Sequence, residues 1–250
     1  MNQTHPPHPP QFQENPTVHK RHASERGKAE HGWLHARFTF SFSGYFDPDH
    51  MGFRSLRVMN NDVIEPGGGF PMHPHTDAEI FTYVISGAIQ HKDNQGNGAI
   101  VTAGDLQYMS AGSGIMHSEF NPSKEEQTEL YQIWLRPNQS GGSPIYSEKQ
   151  LGDAAPDNSL TLLFSGTPKA DATIIRQDAE IYFGKVDAGK GLEIPGSQEL
   201  QHTWIQILHG EASAYSENLT TGDGLAIQDS TAPFLLQATQ DTSFLLFKLS

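Results

Sequence analysis

Four residues with metal-ligand side chains occur as two i, i+2 pairs in the first half of the chain. The first pair is His73 and His75, and the second is His117 and Glu119. Because alternate side chains of a β-strand point to the same face, the two members of each extended pair point the same way. Two such pairs from separate strands of one small barrel can converge on one point. Three imidazoles and one carboxylate suit a divalent transition metal and leave coordination positions open.

Glycine-rich turns and apolar runs frame these pairs. Residues 67–69 precede the first pair and residues 112–114 precede the second, and glycine lets the backbone turn sharply at both places. Between the pairs, the apolar runs 80–85 and 100–102 predict strands. The chain contains a single His-x-His pair, and it lies in this glycine-rich context. The four side chains are therefore predicted to lie on short strands that follow tight turns.

Other short elements are predicted from alternation and turn residues. Phe38, Phe40 and Phe42 alternate with polar residues, which predicts a half-buried strand. The run from His91 to Gly98 is rich in residues that tolerate positive φ, which predicts a hairpin connection. Further predicted strands are 56–59, 106–110, 130–135, 234–237 and 244–249, with a linker at 137–144.

The stretch from Gly67 to Asn121 resembles the two-part cupin signature. Its halves resemble Gly-x5-His-x-His-x3-Glu followed by a glycine, and Gly-x2-His-x3-Asn. Longer strings resemble the pirin family, whose members are two-cupin proteins. These strings include His31-Gly32-Trp33-Leu34, Phe70-Pro71-Met72-His73-Pro74-His75 and Met109-Ser110-Ala111-Gly112-Ser113-Gly114-Ile115-Met116-His117-Ser118-Glu119-Phe120. The likeness is closest over residues 18–140 and looser beyond.

The resemblance implies a ligand set. In pirins the ligands are the His-x-His pair and the later His-x-Glu pair, which map onto His73, His75, His117 and Glu119. Glu79 is the alternative carboxylate, because many other cupins use the glutamate at its position and it shares strand parity with the first pair. The pirin-like string favours Glu119, with Glu79 orienting a ligand histidine. One divalent transition metal per chain is expected, iron first, with nickel, cobalt, manganese, copper or zinc as alternatives.

The second half of the chain repeats the first faintly. The run Ile205–Gly210 parallels Thr82–Gly87. Counting back from there puts Gly196 and Gln198 at the places of the His-x-His pair, so the second unit has lost its ligands. We therefore predict an all-β fold of two tandem cupin (jelly-roll-like) β-barrels. The predicted domains are a disordered extension over residues 1–16, a metal-binding N-terminal cupin over 17–140 and a degenerate C-terminal cupin without a metal site over 141–250.

Composition narrows the setting in which the protein works. The chain has 250 residues, enough for two domains, and a formal net charge of -13, which argues against direct binding to nucleic acid. No apolar run reaches the length of a membrane span, and the first residues lack the pattern of a secretory signal. The absence of cysteine is compatible with a reducing cytoplasm. We expect a cytoplasmic monomer that does not bind membranes.

Two functional hypotheses follow from the resemblance. The first is a metal-dependent dioxygenase that cleaves flavonols such as quercetin with dioxygen. In it, Glu119 serves as a ligand and also takes the proton of the substrate hydroxyl. The second is a non-catalytic metal-binding regulator of transcription or metabolism that acts through protein partners, which the acidic charge fits better than DNA. Isomerase activity is a third hypothesis, because cupins host many reactions.

Overall fold

The fold is known here from a computed structural model that describes residues 16–151 and 155–250. The predicted N-terminal extension, residues 1–16, lies outside the described residues apart from residue 16. The described residues form 22 β-strands and one 3-10 turn, Ala23–Glu25, without an α-helix. This confirms the predicted all-β class. Among the same residues, no helix is long and apolar enough to cross a bilayer.

The strands are short and follow one another closely. The first twelve are β1 Thr17–Arg21, β2 Gly27–Glu30, β3 Leu34–Phe38, β4 Leu56–Ile64, β5 Gly69–His75, β6 Glu79–Ser86, β7 Ala88–Asp93, β8 Gly98–Thr102, β9 Asp105–Ser110, β10 Ile115–Phe120, β11 Thr128–Leu135 and β12 Ile145–Gln150. The remaining ten are β13 Ser159–Ser165, β14 Thr173–Ile174, β15 Ala179–Val186, β16 Gly191–Ile194, β17 His202–His209, β18 Glu211–Ala214, β19 Glu217–Thr220, β20 Gly224–Gln228, β21 Phe234–Ala238 and β22 Thr242–Leu249.

These strands build two similar barrels, each from a seven-stranded and a four-stranded sheet. In the N-terminal barrel the sheet orders are β12-β9-β6-β11-β4-β3-β2 and β5-β10-β7-β8. In the C-terminal barrel they are β1-β20-β17-β22-β15-β13-β14 and β16-β21-β18-β19. Buried apolar side chains from both sheets meet inside each barrel. The prediction of two tandem cupin barrels is confirmed.

The two barrels exchange strands. Strand β1 precedes the N-terminal barrel but pairs with β20 of the C-terminal barrel, from Thr17 opposite Gln228 to Arg21 opposite Gly224. Strand β12 follows the linker but pairs with β9 of the N-terminal barrel. Each seven-stranded sheet is therefore completed by a strand from the other side of the boundary predicted between residues 140 and 141.

The outer faces of the two large sheets pack against each other. Phe164 of β13 lies with its ring centroid 4.9 Å from Phe81 and 5.2 Å from Tyr108 of the N-terminal barrel. Trp204 of β17 packs at 5.1 Å on Phe40. Because β6 is buried on its inner and outer faces, its sequence is a nearly continuous apolar run rather than an alternating one.

The predicted strand through Phe38, Phe40 and Phe42 is wrong in its second half. Strand β3 ends at Phe38, and Phe42 lies beyond it in an isolated bridge with Tyr45. The rings of Phe38 and Phe42 stay together, 5.7 Å apart, whereas Phe40 turns towards Trp204 of the other barrel. Alternation in the sequence predicts a single buried face here, but the chain passes between two separate cores.

The predicted hairpin connection from His91 to Gly98 is also too long. Strand β7 continues through Asp93, and the turn occupies residues 94–97 only. The Asp93 carboxylate stops the strand because it accepts hydrogen bonds from the backbone N–H groups of Gln95 and Asn97, both at 2.9 Å. His91 therefore lies within β7, and its side chain is on the buried face of that strand.

The contact between the barrels gives a stability prediction. Phe164 is fully buried between them, so Phe164→Ala should lower the free energy of unfolding by about 3–5 kcal/mol. Phe46 is 72% exposed, and the matched control Phe46→Ala should change it by less than about 0.5 kcal/mol. Equilibrium urea denaturation followed by tryptophan fluorescence measures both variants. Equal losses in the two would show that this contact does not hold the barrels together.

Candidate metal centre

Two paired strands of the small N-terminal sheet carry three converging histidines. His73 and His75 lie on β5 and His117 lies on β10, with His73 directly opposite His117 in the register. The three ring centroids are 4.5, 4.8 and 4.9 Å apart. One nitrogen of each ring lies within 4.8 Å of the others. The structure thus brings together the three imidazoles that the sequence predicted would converge.

Hydrogen bonds assign the ring nitrogens that face the centre. His73 Nδ1 donates to the carbonyl oxygen of Pro71 at 2.8 Å, which leaves a lone pair on its Nε2. His117 Nδ1 lies 3.4 Å from Nδ1 of His91, and Gln107 Nε2 lies 2.9 Å from the same nitrogen of His91. The Nε2 atoms of His73 and His117 face each other at 3.0 Å.

The environment keeps two of these rings neutral. Burial, reinforced by the charges of His117 and His73, lowers the pKa of His75 to about 4. Burial and the charges of His73 and His91 lower the pKa of His117 to about 3. At neutral pH both imidazoles are therefore unprotonated, which is the form that binds a metal.

Glu119 lies two residues after His117 on β10, opposite His91 of β7 in the register. Its carboxylate is buried, and it accepts hydrogen bonds from Thr82 Oγ1 at 3.2 Å and from Gln132 Nε2 at 3.0 Å. Together with His91 and His117 it forms a second group whose ligand atoms lie within 4.8 Å of one another. Burial raises the pKa of Glu119, and the charge of His91 opposes that rise. His117 therefore belongs to both groups.

His91 is a site residue that the sequence prediction missed. It is fully buried, with its ring centroid 5.1 Å from that of His117 and 5.0 Å from that of Tyr146 on β12. The sequence does carry a signal, because Ile89, His91 and Asp93 alternate along β7 and all point inward. Because the hairpin connection is predicted to begin at His91, the sequence analysis does not include this alternation in a strand.

Glu79, the alternative carboxylate, lies elsewhere. Its side chain is buried against the other barrel, where it accepts hydrogen bonds from Tyr108 Oη and Ser110 Oγ, both at 2.5 Å. The backbone N–H of Arg176 donates a third at 3.0 Å. Among the described residues none of these donors is a histidine, so the expected role of orienting a ligand histidine is not observed. Glu79 shares strand parity with His73 and His75, but β6 belongs to the seven-stranded sheet and β5 to the four-stranded sheet. Equal parity therefore does not place these side chains on one face.

A row of polar side chains crosses the large sheet of the N-terminal barrel and contacts Glu119 and His91. Asn60, Gln132, Thr82 and Gln107 are consecutive register partners on β4, β11, β6 and β9, so they share one face. All four lie between two apolar clusters of the barrel interior, one around Ile80 and Met109 and one around Val84 and Leu130. Such a row holds the buried Glu119 carboxylate in an otherwise apolar barrel.

Aromatic side chains line one wall of the centre. The Trp134 ring stands edge-on to His75 at 4.9 Å and to Phe42 at 5.6 Å. Phe42 therefore belongs to this wall. Phe40, Phe53 and Phe81 belong instead to the core between the barrels.

The sequence of this chain is similar to those of known proteins. The pirin family model matches residues 19–135, and a model described as the quercetinase C-terminal cupin domain matches residues 162–249. A quercetin 2,3-dioxygenase of Escherichia coli K12 is 43% identical over 93% of this chain and 98% of its own length. The chain belongs to the pirin family. A pirin-like protein of Caulobacter vibrioides is 39% identical over 88% of this chain and 94% of its own.

Solved pirin structures share the whole architecture. The crystal structure of YhhW from Escherichia coli superposes with a TM-score of 0.88 and 40% identity, over 94% of this chain and 98% of that one. The same bacterial pirin in complex with nickel(II) gives a TM-score of 0.87 over 93% of this chain and 99% of that one. That relative therefore binds nickel(II).

The position of Glu79 gives a second stability prediction. Glu79→Gln replaces an acceptor oxygen with an amide donor that faces a hydroxyl or a backbone N–H group. The buried mismatch should cost about 1–3 kcal/mol. The control Glu125→Gln alters an exposed loop carboxylate and should be nearly neutral. Thermal unfolding of both variants checks the difference, and a Glu79→Gln protein as stable as wild type would contradict it.

Proposed function

We propose that this pirin binds one divalent transition metal through His73, His75, His117 and Glu119, and that the loaded protein is a dioxygenase that cleaves flavonols such as quercetin. The observation that carries the proposal is the convergence of three imidazoles, two of them neutral by burial, on a strand pair that also presents a buried carboxylate. The Escherichia coli relative named quercetin 2,3-dioxygenase supports the activity.

The donor set fits a metal ion on physical grounds. The lone pairs of His73 Nε2 and His117 Nε2 face each other at 3.0 Å, and they repel unless a proton or a cation lies between them. Nitrogen and carboxylate donors accept iron, nickel, cobalt, manganese, copper or zinc. Iron is the first expectation from the family resemblance, and the nickel(II) complex of the YhhW relative supports nickel as well.

The side chains around the centre have distinct tasks in this reaction. A divalent metal held by His73, His75, His117 and Glu119 would supply Lewis acidity toward the oxygen atoms of the flavonol. In this proposal Glu119 accepts the hydroxyl proton of the flavonol. Thr82 and Gln132 hold that carboxylate in place. Trp134 and Phe42 form an apolar wall beside the open side of the centre.

A non-catalytic metal-binding regulator is the second candidate. Three apolar side chains on the metal-bearing strands are exposed on the outer surface of the small sheet: Met72 at 47%, Met116 at 41% and Phe120 at 36%. Exposed apolar groups near one another are typical of protein-binding surfaces. A protein partner that binds this surface would bind the metal-loaded and metal-free forms with different affinity. The net charge of -13 favours a protein partner over DNA.

Metal content tests the ligand assignment. Purified wild type reconstituted with nickel(II) or iron(II) should hold about one metal per chain, as one complete ligand set requires. The double variant His73→Ala, His75→Ala should lose nearly all of it. The control His209→Ala alters an exposed histidine of the C-terminal barrel and should keep it. Plasma mass spectrometry after gel filtration gives the stoichiometry, and near-full retention in the double variant would overturn the assignment.

Turnover tests the chemistry. Metal-loaded wild type should consume quercetin in air and not under nitrogen, with release of carbon monoxide. Glu119→Gln should lower kcat by about 10²–10⁴-fold if the carboxylate accepts the proton. Its metal content is measured in parallel, so that loss of the ion is distinguished from loss of the base. Glu79→Gln is the matched control and should retain kcat. No aerobic turnover with any of the six metals would favour the regulator.

A further inference from the structure

Three arginines line one pocket on the N-terminal barrel. The pocket has a volume of about 160 Å³ and is lined by Arg54, Arg57 and Arg136 together with Met51, Gly52 and Leu56. Among the described residues, no carboxylate lines it. Two pockets of the C-terminal barrel, in contrast, each have three acidic side chains in their linings. The arginine pocket is therefore a concentrated positive charge in a chain whose net charge is -13.

Strand pairing brings Arg57 and Arg136 close together. The register of β4 with β11 passes over Arg57, which is the extra residue of a β-bulge between Leu56 and Val58. Bulges change the direction of a side chain and are frequent beside functional sites. Arg136 follows the last residue of β11, and its backbone N–H donates to the carbonyl oxygen of Ser55 at 2.9 Å. Burial, and after it the charge of Arg136, lowers the pKa of Arg57, so the two cations repel each other.

A strained turn carries the third arginine. Phe53 and Leu56 exchange two backbone hydrogen bonds, at 2.8 and 2.9 Å, across a two-residue turn. Arg54 is the first residue of this turn and has φ of 55°, a conformation that glycine adopts without strain and other residues adopt at a cost. Its Nη2 donates to Nδ1 of His202 on β17 at 3.2 Å. The turn therefore holds Arg54 against the C-terminal barrel.

Most N–H groups of these three guanidinium groups have no acceptor among the described residues. Each guanidinium carries five N–H donors. Arg57 donates to the carbonyl oxygen of Ser41 at 2.6 Å, and Arg54 donates to His202. None of the three forms a salt bridge with a described residue, whereas Arg37 elsewhere on the barrel pairs with Glu30 at 2.7 Å. Unused donors on neighbouring cations are the chemical requirement for an anion site.

The donor set fits a phosphate group better than a carboxylate. Guanidinium groups bind both kinds of anion through paired N–H donors. One guanidinium already occupies both oxygens of a carboxylate. A phosphate group has three terminal oxygens and up to two negative charges, so it offers acceptors to several guanidinium groups at once.

We propose that Arg54, Arg57 and Arg136 form a binding site for a small molecule that carries a phosphate group. The phosphate oxygens accept hydrogen bonds from Arg57 and Arg136, and the negative charge offsets the repulsion between these two cations. Arg54 contributes further donors from the turn that contacts the C-terminal barrel.

Isothermal titration calorimetry of the unaltered protein with inorganic phosphate, at constant ionic strength, tests the proposal. Wild type should bind with a Kd of about 1 mM or lower, because several charge-assisted hydrogen bonds form at one site. The double variant Arg57→Gln, Arg136→Gln should bind at least about tenfold more weakly. The matched control Lys124→Gln, Lys190→Gln removes the same charge from two exposed lysines and should bind as wild type does. Circular dichroism checks the fold of both variants.

Chemical labelling locates the site without a substitution. Phenylglyoxal modifies accessible guanidinium groups, and mass spectrometry after digestion gives the labelling rate at each arginine. Phosphate should slow the labelling of Arg57 and Arg136 and leave the rate at Arg37 unchanged. Acetate at the same concentration should protect Arg57 and Arg136 less than phosphate does.

The metal centre is kept apart from this test by a further variant. The protein with His73→Ala and His75→Ala lacks two of the candidate metal ligands and should bind phosphate as tightly as wild type. Loss of phosphate binding in it would overturn the proposal, because the anion would then depend on the metal centre. Absence of phosphate binding by wild type, equal affinity in the arginine and lysine variants, or equal protection by acetate would also overturn it.

Discussion

Burial of the large sheets on both faces is the constraint on which the rest of the structure depends. Their outer faces form one shared core, in which Phe81, Tyr108 and Phe164 meet. This contact fixes β6, β9 and β11 from behind. The inner faces of the same strands carry Thr82, Gln107 and Gln132. The interface between the barrels therefore supports the polar row that holds Glu119 and His91.

The candidate centre depends on one shared residue. His117 faces His73 through Nε2 and His91 through Nδ1, so its two nitrogens serve different groups. Gln107, His91 and His117 form a chain of nitrogen contacts at 2.9 and 3.4 Å. A change at Gln107 would therefore alter the surroundings of the candidate ligand His117 through His91, and contacts of this kind tune metal sites.

The sequence predicts the class, the two barrels and the converging histidines, because these rest on local patterns. Alternation in short strands, glycine turns and the i, i+2 spacing are all properties of neighbouring residues. Prediction from the sequence fails where the position of a side chain depends on which sheet its strand joins. Glu79 has the right parity but lies on the outer wall, and Phe40 leaves the alternation of its neighbours for another core.

Buried polar residues are the second kind of feature that the sequence does not predict. His91 and Lys248 look like ordinary surface residues in the sequence, since polar side chains in short segments usually face solvent. Only the register shows that His91 lies opposite Glu119 and that Lys248 takes in the second barrel the position that Trp134 has in the first. The repeat is easy to detect from its glycines, whereas its chemistry can be compared only after strands have been aligned in space.

The exchange of β1 and β12 has a consequence for how the protein is made. As the chain leaves the ribosome from its N-terminus, β1 is the first described strand to emerge, yet its partner β20 appears about two hundred residues later. The N-terminal barrel likewise lacks its last strand until residue 150 has been synthesised. Pairings this distant in sequence form slowly, because the loop must close before the contacts stabilise it. For most of translation β1 is therefore an unpaired strand, and a chaperone or a second nascent chain can bind it before β20 has been synthesised.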